Sequence, residues 1–305
     1  MPTQTIGVSM IQPLQYFSTS SAELIGVFEH GSDQWHAARS GVGGSDVGAI
    51  LGLNQWESAF TRWAKKTGKI DDFVPDNTAM RLGREFEPAI LKMFAEDHPE
   101  IEVFDDCGSW KSVDRPFCTA NPDGMFRDEN GDWGIVEVKT ARIAWDNGLP
   151  ASYRAQVLHY MYVMGVRKAY VVAVAGWELV EYVIERDDFE LQANLARVDE
   201  FWSCVETDSQ PVWDGSSNTL ETVRRMNPNL DVFEEVELGV ELGVALVNAA
   251  NDAEAAQTTL NELKSVALSQ MGVARTAFID FQNTRYVVAM RQNNKSGIPH
   301  LVVKR

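Results

Sequence analysis

Apolar residues recur at Leu82, Phe86, Ile90 and Phe94, a four-residue spacing that lines one face of a helix. The spacing predicts an amphipathic helix over 79–98. Upstream, "WESAFTRWAKKT" reads as a helix over 56–67 ended by Gly68, and "VGGSDVGAILGL" as a turn opening a short helix. Downstream the period shortens. Residues 101–104 and 109–113 are candidate strands, and 134–140 alternates so that Val136 and Val138 share one face and Glu137 and Lys139 the other. A helix follows over 152–165, with Tyr153, Val157, Tyr160, Met161 and Met164 on a broad apolar face. Two strands then turn near Gly176, and 188–206 returns to helical spacing. A polar loop occupies 208–218. The alanine- and leucine-rich stretch 238–270 contains no proline and predicts one long helix broken by Gly272. Strands over 276–281 and 285–290, joined by "QNT", and a third at 300–304 complete the chain. Helices and strands interleave, which places the chain in the α/β class.

The balance of 45% hydrophobic and 23% charged residues in 305 is that of an ordinary globular protein. No apolar run reaches the length of a membrane span. Residues 1–23 lack a basic segment followed by an apolar block, so they read as a partly ordered polar arm rather than a signal peptide. The three cysteines, Cys107, Cys118 and Cys204, form no CxxC pair, which favours a reducing cytoplasm. The five histidines show no zinc-site spacing. A net charge of −17 argues against non-specific coating of nucleic acid. The charge is uneven, however: residues 272–305 carry six Lys/Arg against the single acid Asp280.

The chemistry concentrates in "NPDG" and "VEVKT". A hairpin loop of Glu129, Asn130 and Gly131 pairs residues whose numbers sum to 260, which sets Asp123 opposite Glu137. A two-residue Asn-Gly turn would shift the register by one and put Val138 there instead. The expectation is therefore an odd-length loop with Gly131 in the left-handed conformation. Two carboxylates this close repel unless a cation lies between them. Hard oxygen ligands suit Mg²⁺ or Mn²⁺, with the carbonyl of Val138 completing the shell. Lys139 beside them can orient a water or stabilise charge developing on phosphate. An exposed hairpin with a cross-strand ion pair is the plain alternative.

Three further segments bear on the choice. In "ARSGVGGSDVGAILGL", Gly43 and Gly44 permit close backbone approach, Ser45 or Asp46 can cap the helix, and Arg39 lies near, together making an anion pocket. On the amphipathic helix Glu87 adjoins Phe86 and Ile90, so it can lean inward as an extra metal ligand. In "QVLHY", Gln156 and Tyr160 lie one helical turn apart on one face, and Gln156 is a candidate phosphate contact.

In order, "RSGVGGSDVGAILGLNQWESAFTRWAKKTG", "LGREFEPAI", "NPDG…VEVKT" and "YRAQVLHYM" resemble the YqaJ-type viral recombinase group, relatives of phage lambda exonuclease and RecE-type exonucleases. The similarity runs over 35–188. It implies a restriction-endonuclease-like core, a mixed central sheet flanked by helices, with the long helix and small β tail appended. The expected division is an arm over 1–27, a PD-(D/E)xK exonuclease domain over 28–210, and an extension over 211–305 for oligomer or partner contacts. The implied activity is Mg²⁺-dependent 5′→3′ digestion of one strand of linear double-stranded DNA, leaving 3′ overhangs for single-strand annealing. Two metal ions per site, a toroidal trimer, a RecT/beta-type annealing protein as partner, and a cytoplasmic location go with it. Carried over by position, Asp123, Glu137 and Glu87 are metal ligands, with Val138 contributing its carbonyl, and Lys139 is the catalytic lysine. Arg39, Ser45 and Gln156 hold the terminal 5′-phosphate, with Tyr160 and Arg154 beside them. Lambda exonuclease has a lysine where this chain has Pro150, so Arg142 or Arg154 is expected to stand in. Iron–sulfur relatives of the same motif need four cysteines, which this chain lacks. A restriction-type endonuclease and a catalytically silent DNA-end-binding protein are the other two readings.

Overall fold

The computed structural model describes residues 11–14, 17–72, 75–293 and 299–304. It divides into two units, Met1–Leu230 and Asp231–Arg305.

The first unit is organised by strand β7 (Trp133–Ala141), whose alternating apolar residues are buried on both faces. Val136 and Val138 pack on Ile90, Leu91 and Phe94, while Ile135 faces the opposite way among Val157, Leu158 and Met161. A strand buried on both sides belongs in the middle of a sheet. It is central here, in a mixed six-stranded sheet. β1 (Gln12–Pro13) pairs parallel to β3 (Glu102–Asp105), and β6 (Gly124–Arg127) joins β3 antiparallel to β7. β8 (Lys168–Ala175) runs parallel to β7, and β9 (Glu178–Glu185) closes the far edge antiparallel. A second antiparallel sheet joins β2 (Ala22–Gly26), β4 (Ser109–Ser112) and β5 (Thr119–Ala120).

Six helices flank these sheets: α1 (Asp33–Ala38), α2 (Gly44–Ile50), α3 (Ala59–Lys66), α4 (Thr78–Asp97), α5 (Ala151–Met164) and α6 (Asp188–Glu206). Side-chain oxygens satisfy the free amides that start several of them. Ser58 accepts from Thr61 N–H at 3.1 Å, and Asn77 accepts from Ala79 and Met80 N–H at 3.0 Å each. The expected mixed sheet flanked by helices is thus present.

The expected partly ordered arm contributes β1 and β2, each of which finds a partner strand; residues 1–10 and 15–16 of it lie outside the described residues. Two expectations need correction. On α4 only the C-terminal half is core: Ile90 and Phe94 are buried, whereas Leu82 and Phe86 are exposed. The first unit also continues past residue 210. Helix α7 (Ser217–Met226) docks on α3 through buried hydroxyl pairs, Ser58–Thr219 at 2.7 Å and Thr61–Thr222 at 2.8 Å. Buried hydroxyls need such partners, so the division falls after Leu230.

The second unit holds the expected long helix α8 (Val240–Met271), ended at Gly272, and an antiparallel sheet of β10 (Thr276–Phe281), β11 (Thr284–Asn293) and β12 (Pro299–Val303).

Candidate functional site

The hairpin carries the site, and its loop sets the register. Gly124 faces Val136, Met125 faces Ile135, Phe126 faces Gly134 and Arg127 faces Trp133, each pair summing to 260. Asp128 N–H donates to Asp132 C=O at 3.0 Å across a loop of Glu129, Asn130 and Gly131. Gly131 has φ of +85°, a conformation that a Cβ disfavours. The expected odd-length loop is therefore present. β6 stops at Gly124, and Asp123 takes over from its ladder: its Oδ2 accepts the Val138 N–H at 2.8 Å.

Alternation then places Glu137 and Lys139 on the α5 side of β7. Glu137 is 1% exposed. Its Oε1 accepts from both Lys139 Nζ and Gln156 Nε2, while its Oε2 is buried without a hydrogen-bond partner. Burial and the charge of Asp123 push the Glu137 carboxyl up to about 8. Burial also raises Asp123, against the pull of Lys139 and the Val138 amide. Glu87, half-buried on α4, is pushed to about 7 by burial and by Asp123. Burial would lower the Lys139 ammonium, but Glu137 and Asp123 outweigh it and hold it above the usual lysine range. Asp123 thus raises both glutamates and Glu87 raises Glu137, so Lys139 and Arg39 do not fully offset the burial and crowding of the acids, and one carboxylate oxygen is left orphaned. Among the described residues the acids do not already form a compact three-acid metal shell. Glu137 Oε2, Asp123 and Glu87 are nevertheless the donor set that suits a hard divalent cation.

The glycine-rich segment is fastened behind this group. Val42 N–H donates to Phe117 C=O at 2.6 Å, and Thr119 N–H donates to Val42 C=O at 2.8 Å. His159 Nε2 lies 3.1 and 3.2 Å from the carbonyls of Val42 and Thr119, and burial lowers its pKa to about 4, so it sits there neutral. At Gly44 a Cβ would meet Tyr160 Cε1 at 2.5 Å and Gln156 Cγ at 2.9 Å. The missing side chain therefore lets α2 rest directly on Gln156, which bonds Glu137, and on Tyr160, which bonds Gln156.

Asp46 caps the helix, accepting from Gly43 N–H at 3.1 Å. It also holds Arg62 at 3.2 Å and Lys66 at 3.0 Å. Burial alone would raise the Asp46 carboxyl, but Lys66 and Arg62 keep it below the usual range. Ser45 is exposed in the first turn and makes no cap. Arg39 is exposed at the end of α1, its guanidinium 4.1 Å from the Trp35 ring centroid, and its charge reaches Asp123 and Glu87.

Asp123, Glu137, Val138, Lys139, Glu87, Gln156 and Tyr160 are thus brought together, with Arg39 within electrostatic range. Gln156 spends its amide on Glu137 and on Tyr160 Oη at 3.3 Å rather than standing open to a phosphate. Arg154 is a correction: it forms a double contact with Glu190 on α6, at 2.7 and 2.9 Å, and is not a free cation beside the site. Tyr153 was missed. Its ring lies 5.2 Å from Lys139 Nζ, and its spacing three residues before Gln156 was the available signal.

Residues 34–167 match the family model of the YqaJ-like viral recombinase domain. The uncharacterized protein YqaJ of Bacillus subtilis (strain 168) is 34% identical over 220 residues, which span 69% of this chain and 68% of that protein. Among solved structures, the alkaline exonuclease LHK-Exo of Laribacter hongkongensis aligns over 58% of this chain and 94% of its own, at 21% identity and a TM-score of 0.49. A phage-related exonuclease from Haemophilus somnus 129PT aligns over 55% and 96% respectively, at 12% identity and a TM-score of 0.39. By its 34% identity to YqaJ of Bacillus subtilis and its matched domain, the chain belongs to the YqaJ-like viral recombinase domain family.

Proposed function

We propose that the protein is a metal-dependent deoxyribonuclease, a 5′→3′ exonuclease acting on linear double-stranded DNA. The observation that carries this reading is the buried Glu137, whose Oε2 has no hydrogen-bond partner and whose carboxyl is raised by Asp123 and Glu87 despite Lys139. A scaffold gains nothing from such a group; a hydrolytic centre does. Asp123, Glu137 and Glu87, with the Val138 carbonyl, would hold Mg²⁺ or Mn²⁺. Such an ion supplies Lewis acidity at phosphate and a more acidic bound water.

The chain's own residues do the rest. Gln156 and Lys139 fix Glu137 by one oxygen and leave the other free. Lys139, charged and steadied by the Tyr153 ring, orients the attacking water and balances the negative charge that grows on the phosphoryl oxygens. Tyr160, whose phenol burial pushes up, stays a neutral hydroxyl beside them. Arg39 and Ser45 would seat the terminal 5′-phosphate. Water then forms a bond to the next phosphorus as the P–O3′ bond breaks, and the departing oxygen takes a proton to become a 3′-hydroxyl. The shortened strand keeps a 5′-phosphate, so the same pocket can accept the new end.

The test compares linear and closed-circular duplex in Mg²⁺. Loss of the linear form only, stopped by EDTA and by Lys139→Ala, is expected. Digestion that survives Lys139→Ala overturns the assignment, and cutting of the circle replaces it with an endonuclease.

A further inference from the structure

Helix α8 runs 32 residues, about 48 Å, and none of its residues is buried. Within it Leu246, Ala249, Ala253, Ala256, Leu260 and Leu263 follow one another at alternating steps of three and four. The same steps reach back to Leu242 and on to Ala267. From Leu242 to Ala267 this is a sustained heptad with apolar residues at every a and d position and no charge among them, ended at Gln270. Another apolar stripe, Val240, Val244 and Val247, runs out at Asn251. Leu242, Leu246 and Leu263 are 60%, 60% and 62% exposed, a seam of large side chains without cover in its own unit.

We propose that α8 pairs antiparallel with α8 of a second copy of this chain. Two features select that partner and that direction. The first is size. Pairing residues whose numbers sum to 509 sets Leu246 against Leu263, Ala249 against Leu260, and Ala253 against Ala256, so that alanines let the backbones approach at the centre and leucines fill the outer layers. A parallel pair would stack three all-alanine layers in a row. The second is charge. Residues 231–241, just before and into the helix, hold Asp231, Glu234, Glu235, Glu237 and Glu241 with no Lys or Arg. The strands after its other end and the residues flanking them carry Arg275, Arg285, Arg291 and Lys304 against Asp280. Antiparallel pairing brings the acidic end of one copy to the basic end of the other, twice over by the two-fold symmetry, and also opposes the two helix dipoles. Parallel pairing would put like with like at both ends.

The test uses the full chain. Sedimentation compares the wild type with Leu246→Glu/Leu263→Glu, with circular dichroism to verify retained helix. The double variant is expected at half the wild-type assembly mass. Leu246→Ala/Leu263→Ala, which keeps helix propensity, is expected to raise the dissociation constant at least tenfold. Direction is read by a short bismaleimide: a mixture of Leu246→Cys and Leu263→Cys chains should cross-link strongly, and either alone only at the wild-type background set by Cys204. Equal masses for wild type and variants overturn the proposal, because the seam is then covered by another protein or by residues of the same chain. Leu246→Cys cross-linking to itself as well as the mixture does overturns the antiparallel register.

Discussion

Gly44→Ala is a sharp perturbation because it touches the site through a steric contact alone. The added Cβ would lie 2.5 Å from Tyr160 Cε1, whereas ordinary contact begins at 3.4 Å, so the ring must retreat by about 0.9 Å (3.4 − 2.5). Gln156 Cγ, at 2.9 Å, must give about 0.5 Å (3.4 − 2.9) as well. Both side chains are buried, at 5% and 7% exposure, so neither has open space to enter. Overpacking of this kind costs about 1–3 kcal/mol, which at about 2–4 °C per kcal/mol lowers the melting temperature by roughly 2–12 °C. Gln156 also holds Glu137 Oε1, so its displacement moves a candidate metal ligand. A misplacement near 1 Å at a reacting centre costs up to ~10²-fold in rate. The control is Gly43→Ala, where the nearest atom to a new Cβ is Thr119 Oγ1 at 3.6 Å. Scanning calorimetry and digestion of linear duplex, run on both variants, are the assays. Gly44→Ala is expected to lose stability and about 10- to 100-fold in rate, and Gly43→Ala under about 1 kcal/mol. Indistinguishable behaviour of the two variants would refute the idea that α2 positions Glu137 through Gln156 and Tyr160.

Other perturbations separate the remaining roles. Arg154→Ala should leave the preference for a 5′-phosphate intact and cost about 0–1 kcal/mol, since it breaks only the half-exposed Glu190 pair, whereas Arg39→Ala should abolish that preference in a competition digest. Glu87 and Glu137 rise from 4.5 to about 7 and about 8 in the folded protein. The metal-free folded state therefore binds more protons than the unfolded one across that window, and stability falls as pH rises through it. Melting in EDTA should drop from pH 5 to pH 8, and Mg²⁺ should raise the melting temperature more at pH 8 than at pH 6; a metal-free curve that climbs with pH contradicts this. Glu137→Gln should end digestion and also destabilise the metal-free protein, because it leaves the buried Lys139 ammonium without its carboxylate partner; a variant that still digests linear duplex contradicts this.

Much of the site was legible because its determinants are local. The run Asp128 to Asp132 dictates a loop with Gly131 at positive φ, the loop dictates the register, and the register sets Asp123 beside Glu137. Helix spacing likewise placed Gln156 and Tyr160 together. What escaped depended on partners distant in the chain. Arg154 looks like a spare cation until α6 folds back and brings Glu190 to it, and nothing near Arg154 in sequence signals that. Leu82 and Phe86 continue the periodicity of Ile90 and Phe94, but only the latter two join the buried cluster with Val136, Val138 and Val172, and the former stay exposed. The polar loop read over 208–218 gives way to α7 at Ser217, and the Thr219 and Thr222 hydroxyls find their helix-packing partners only in Ser58 and Thr61. β1 is two residues long, too short to show any period, and exists because β3 offers it an edge.

The most direct measurement is digestion of a linear duplex bearing a 5′-phosphate at one end and a 5′-hydroxyl at the other, each strand labelled separately, in Mg²⁺. An exonuclease with the proposed pocket shortens only the strand that starts with phosphate and releases mononucleotides from that end. Equal shortening from both ends, or internal cuts with neither end favoured, would contradict it.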